Sequence, residues 1–241
     1  KSTALFLLAQ ELAPPVFLST TTHLSVKQAE KVRRNVIVPN GVDRNFFSPF
    51  LNTNEPVLFT SGQWREDRVG GLGRVEMDTL IACAKSAGIP LIIEADGSRQ
   101  LPLKAPAPHE PAIPEKSEHV LVIAGMDGIG KEIAEGKIHR PAEFAAVSGA
   151  RMGERIEPEH VARWAVHEEG GLRNIPPRAR RTLLLNQCEN DPAKANAGWI
   201  AKRTLGTYDQ VLACTLETET APVAARFEKT AAIILAAGSA S

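Results

Sequence analysis

The chain has 241 residues, enough for one substantial core and a small second piece. Lys plus Arg equals Asp plus Glu at 28 each, so no global field draws in nucleic acid or an anionic membrane, and any phosphate site is local. Three scattered cysteines with no CxxC argue against a disulfide framework or a zinc site and fit a reducing cytoplasm. No apolar run reaches the roughly 18 residues of a membrane helix, and no signal peptide is visible.

Residues 2–12 predict a helix, with Leu5, Leu8, Ala9 and Leu12 on one stripe and Pro14-Pro15 as its stop. "VFLSTTTH" follows as a short strand running into threonines. Residues 35–73 carry Pro, Gly and Asn between short apolar runs and read as a loop-rich excursion with two or three short strands. A second helix spans 75–86, closed by Gly88. Four unbroken apolar runs come next: 89–93, 119–124, 181–186 and 210–214. Such runs suit parallel strands covered on both faces. Helical segments at 141–148, 158–166 and 191–204 alternate with them, so an α/β fold with a mostly parallel central sheet is expected. Ligands of such sheets sit at the carboxyl ends of the strands.

Three strand or helix ends carry chemistry. Lys1, Ser2 and Thr3 open the first helix, as the last positions of a GxxxxGK[ST] phosphate loop would, but the glycine cradle is not in the sequence. An ordinary helix start remains the alternative. In "IIEADGSR" an apolar strand ends on Glu94 and Asp96. A carboxylate there is where phosphate-loop enzymes hold Mg²⁺. Gly97 lets a backbone N–H approach a phosphate, and Arg99 and Lys104 add local positive charge. A solvated Asp-Gly turn is the plainer reading of the same residues. In "LLLNQCEN" Asn186 and Glu189 occupy the places of a base-reading Asn-Lys-x-Asp turn, with Gln187 for the lysine; a capped strand–helix turn explains them too. His109, His139 and His167 are either proton carriers or turn and surface residues. Trp64, Trp164 and Trp199 read as core or interface residues, and Gly70-Gly71-x-Gly73 as a loop.

The blocks "STTTH", "EADGSRQLPLKAPAPHEPAIP", "IHRPAEFAAVSG" and "HEEGGLRNIPPRARRTLLLNQCE" resemble the YqeC family, accessory proteins for maturation of selenium-dependent molybdenum hydroxylases. The resemblance implies a P-loop NTPase-like three-layer fold whose N-terminal strand and phosphate loop are truncated here. It implies a Mg²⁺-bound nucleoside triphosphate, ATP or GTP. Lys1, Ser2, Thr3, Gly97 and Arg99 would lie on phosphate, and Asn186 and Glu189 on the base. Ser2, Thr21, Thr22 and Asp96 would lie on Mg²⁺. Lys1, Asp96 and Glu94 would carry any hydrolysis, which the chain is expected to lack without the glycine-rich loop. The alternative is a non-catalytic nucleotide-sensing module or scaffold. Its partner would be a molybdenum hydroxylase or a carrier of the molybdenum cofactor. The tail "AAIILAAGSAS" is similar to the opening of molybdopterin-type nucleotidyltransferases. The expected organisation is therefore a YqeC-type domain over 1–218 and, over 219–241, a linker and first strand of a truncated transferase-like domain without activity of its own.

Overall fold

The computed structural model describes residues 2–216 and 223–228. Lys1 and the transferase-like tail 231–241 lie outside the described residues.

The first half opens with α1 (Ser2–Glu11), followed by β1 (Phe17–Thr20), β2 (His23–Ser25), the short α2 (Val26–Ala29) and β3 (Arg34–Ile37). A 3₁₀ turn over Arg44–Phe50 leads to β4 (Val57–Thr60), β5 (Gln63–Arg65), β6 (Arg68–Gly70), α3 (Arg74–Ala87) and β7 (Leu91–Glu94). Four of these strands form a sheet in the order β3-β4-β1-β7. Every pairing in it is parallel. The inner strands β1 and β4 are buried along their whole length, which is why each is an unbroken apolar run.

Alternate residues of these strands face opposite layers. Phe17 and Phe59 meet edge to face at 5.0 Å and pack with Phe47, Met77 and Leu80 of the 3₁₀ turn and α3. Leu18 and Leu58 point the other way, onto Leu5, Phe6 and Ala9 of α1. The sheet thus has helices on both faces. Strands β2, β6 and β5 form a small antiparallel sheet beside it.

The second half has its own sheet. Strands β8 (His119–Gly125), β9 (Arg180–Asn186) and β10 (Gln210–Cys214) are parallel, and β11 (Val223–Glu228) adds antiparallel to β10. Helices α4 (Pro141–Ser148), α5 (Pro158–Val166) and α6 (Asp191–Thr204) share one core with Leu183, Leu185, Val211 and Ala213. Tyr208 is fully buried in this core and donates its hydroxyl to Ala165 O at 2.7 Å.

The helices and the four late apolar strands fall where the pattern puts them. The single expected sheet is two four-stranded sheets, with β7 in the first and β8 to β10 in the second. Residues 95–118 connect them.

Candidate functional site

Because the first sheet is fully parallel, Thr20 and Glu94 end neighbouring strands at one edge, in register with each other. Past β1 the chain turns through Thr21 and Thr22. Thr20 Oγ1 donates to Glu94 O at 2.8 Å, and the Thr21 N–H donates to the same carbonyl at 3.0 Å. The Thr22 N–H donates to Thr20 Oγ1 at 3.0 Å. Thr20 has spent its proton on Glu94, so Thr22 Oγ1 is the donor in their 3.1 Å contact. Thr21 Oγ1 donates to Ala112 O at 2.9 Å.

The turn is held from behind by a crossing segment. The Gly71 N–H donates to Thr22 O at 2.7 Å and the Leu72 N–H to Thr20 O at 2.9 Å. A Cβ on Gly71 would lie 2.5 Å from Thr20 O, so only glycine allows this approach.

Beyond β7 lies a charge cluster. Glu94 is buried. Two residues on, Asp96 pairs with Lys104, whose side chain is only 4% exposed. The Lys104 ammonium also donates to Gly97 O at 2.9 Å and reaches Glu110 Oε2 at 2.7 Å. Its three N–H donors therefore have three protein acceptors. Arg140 grips Glu110 with both terminal nitrogens, Nη2 to Oε1 at 3.2 Å. Burial alone would raise the Glu110 carboxyl. The hydrogen bonds from Arg140 and Lys104, with the lysine charge and the Ala107 N–H, outweigh it and hold the pKa at about 2. Lys104, expected to add charge near phosphate, is thus committed to an internal, neutral cluster of two cations and two carboxylates.

Other expected residues are distributed as follows. Ser2 and Thr3 open α1, both half-buried. Helix α1 packs on the first sheet through Leu5, Phe6 and Ala9. Gly97 serves Lys104 through its carbonyl. Arg99 is exposed, with a left-handed φ of 52°. Asn186 and Glu189 belong to the second sheet. Asn186 Oδ1 accepts the Leu216 N–H at 3.0 Å, and Glu189 is exposed. Asn186 pairs with Gly125, whose N–H donates to Pro102 O at 2.8 Å, so this strand end abuts the connecting segment.

Of the three histidines, His109 is exposed and His167 Nδ1 accepts the Glu169 N–H. His139 sits beside the cluster. Burial first, then Lys104, Arg140 and Arg99, push its pKa down, which leaves the imidazole neutral at pH 7. Trp164 is buried, as expected of a core residue, but Trp64 is 51% exposed.

Among the described residues no three His, Cys, Asp or Glu side chains are grouped as a metal site. The edge offers hydroxyl and carboxylate oxygens instead. That set fits Mg²⁺, which takes one or two carboxylates and completes its shell with water and phosphate. Two surface clefts, of about 390 Å³ and about 430 Å³, are lined by neither the threonine turn nor Glu94 and Asp96.

A family model described as YqeC protein matches residues 1–142. The chain belongs to the YqeC family. The match covers the threonine turn, the strand end at Glu94 and the whole cluster through Arg140, and stops before β9 with Asn186 and Glu189. A similar relative is "Uncharacterized protein YqeC" of Escherichia coli (strain K12), 31% identical over 152 residues. The alignment covers 61% of this chain and 59% of that protein, so the chain spans about three-fifths of the relative's length. No solved structure matches.

Proposed function

We propose that the edge formed by β1 and β7 binds the phosphates of a magnesium–nucleoside triphosphate, and that the chain is a nucleotide-dependent accessory protein. The setting is the one the family resemblance implies: maturation of selenium-dependent molybdenum hydroxylases or of their cofactor. A hydroxylase or a carrier of that cofactor is the partner.

The observation that carries this reading is a convergence. A hydroxyl turn, Thr20 to Thr22, is hydrogen-bonded to the end of a strand carrying buried Glu94 and then Asp96. It lies at the carboxyl edge of a fully parallel sheet, where open α/β folds take ligands. In this reading Ser2, Thr21, Thr22 and Asp96 hold Mg²⁺ directly or through water. The metal supplies charge neutralisation at the outer phosphate oxygens. The first-turn N–H groups of α1 (with Thr3) and the Gly97 backbone receive phosphate oxygens. Lys1 and Arg99 balance charge. Glu94 orients an attacking water, and positioning and charge carry the rate.

A second reading, binding with little turnover, is favoured by the hold of Lys104 on Asp96. Nucleotide at Asp96 would then reorder residues 97–111 for the partner and act as a signal.

Titration calorimetry of the full-length protein with Mg–ATP and Mg–GTP tests the proposal, alongside phosphate release. Thr22→Val is expected to weaken binding at least tenfold. Binding with release supports hydrolysis, and binding without release supports the sensing module. No heat with either nucleotide would sink both.

A further inference from the structure

Strands β5 and β6 form a hairpin attached to the threonine turn. Strand β2 starts at His23, one residue past Thr22, a step of about 3.8 Å. It pairs with β6 over His23–Ser25 and Arg68–Gly70. The Gly71 and Leu72 N–H groups then bond the turn itself. The hairpin therefore has a fixed position relative to Thr22.

The hairpin carries a bulge. Gln63 pairs with Val69 and Arg65 with Arg68, which leaves Trp64 as the extra residue. A bulge re-aims a side chain, and bulges gather beside functional sites. The Trp64 ring stacks on the His23 imidazole, with centroids 3.7 Å apart and planes 29° from parallel. The Arg65 guanidinium lies 4.2 Å from the same ring. The imidazole and the guanidinium therefore both lie against the indole. Arg65 is exposed, and half of Trp64 is open to solvent.

We infer that Trp64, with His23 and Arg65 against it, is the platform on which the nucleobase of the bound nucleotide stacks. The inference rests on the phosphate reading above. An indole in contact with an imidazole and with an exposed guanidinium offers a flat ring a surface to stack on and a planar cation to close over it. The base enters between indole and guanidinium, Arg65 closes over it, and both contacts tolerate any base because each uses the π-face. The base then lies at the hairpin next to the threonine turn, not at Asn186 and Glu189 on the second sheet. Stacking does not read base edges, so Mg–ATP and Mg–GTP bind alike.

The test uses full-length protein, two variants and two kinds of ligand. Trp64→Ala is expected to lose about tenfold or more in affinity for Mg–ATP, about 1.4 kcal/mol. One base–aromatic stack accounts for a loss of that size. Inorganic tripolyphosphate with Mg²⁺, which has no base, should bind wild type and Trp64→Ala equally. Trp64→Phe should recover most of the ATP affinity. If Trp64→Ala binds ATP as wild type does, or if Glu189→Ala is the variant that loses it, the platform is overturned while the phosphate site stands. If wild type binds neither ligand, both readings fall. If a single-stranded oligonucleotide binds tighter than ATP and Trp64→Ala abolishes that, the hairpin serves nucleic acid and the inference is wrong.

Discussion

Lys104 lies in "LPLKAPAP", a stretch whose prolines and lysine suit solvent, yet its ammonium is enclosed by Asp96, Gly97 and Glu110. An ion so buried persists only because each of its protons has a partner. Glu110 is held as firmly, by Lys104 and by the Arg140 fork. Its folded pKa is about 2, well below the usual glutamate value of 4.5. A carboxyl lowered on folding stabilises the fold above its unfolded pKa, and that stability is lost as pH falls through the folded value. Wild type should therefore exceed Glu110→Gln in urea stability at pH 6, and the gap should close between about pH 4.5 and about pH 2. A gap that stays constant across this window would show that Glu110 acts by shape. Nothing local announces the cluster. Asp96 and Lys104 are eight apart in a non-helical segment, and Arg140 comes 36 residues later at the start of α4. The sequence does show that a strand ends in carboxylates; which cation answers them is decided by long-range folding.

At the scale of elements, periodicity served long segments well. Helix α3 runs Arg74–Ala87 and stops at Gly88, whose φ is 67°, as the apolar stripe and the glycine imply. The stretch 35–73 is expected to hold two or three short strands, but that β4 within it is a central strand is not legible, for a physical reason. Val57–Thr60 is four residues among Pro, Asn and Gly, yet it is paired on both sides and fully buried. Four residues carry too little pattern to tell a central strand from a loop. The two glycines 71 and 88 separate space from conformation. A methyl on Gly71 meets backbone atoms of Thr20, Thr21 and Thr22 at 2.5, 2.7 and 2.7 Å. Gly88 has open space and a left-handed φ. Gly71→Ala should cost about 1–3 kcal/mol by overpacking and also weaken Mg–nucleotide binding, since the threonine turn must shift. Gly88→Ala should cost about 1–2 kcal/mol and leave binding unchanged. Urea midpoints and calorimetry on both variants check this; equal binding losses would detach Gly71 from the site.

The described residues form two four-stranded sheets joined by residues 95–118, with the small β2-β6-β5 sheet beside the first, and pairing between distant strands, which decides one main sheet or two, leaves no local pattern to read. The joining segment is divided in its loyalties. Leu103 and Ala105 are buried in the second core, and the backbone around Lys104 bonds to His139. The Lys104 side chain reaches back to Asp96 and Gly97 at the end of β7, and Ala112 bonds Ala95 and Thr21 of the first half. Lys104 is thus the covalent property of one half and the electrostatic partner of the other. Lys104→Met would leave two carboxylates facing each other with Arg140 alone to answer them, a change that costs about 3–5 kcal/mol when one partner of a buried pair is removed. The penalty should fall unevenly. The second core keeps its apolar contacts and the Arg140–Glu110 fork, whereas the first sheet loses its charged tie. Hydrogen exchange should therefore show faster exchange in β1, β4 and β7 of Lys104→Met, with β9 and β10 still protected. Equal loss in both sheets would mean that the two halves unfold as one unit and that Lys104 is only one contact among many.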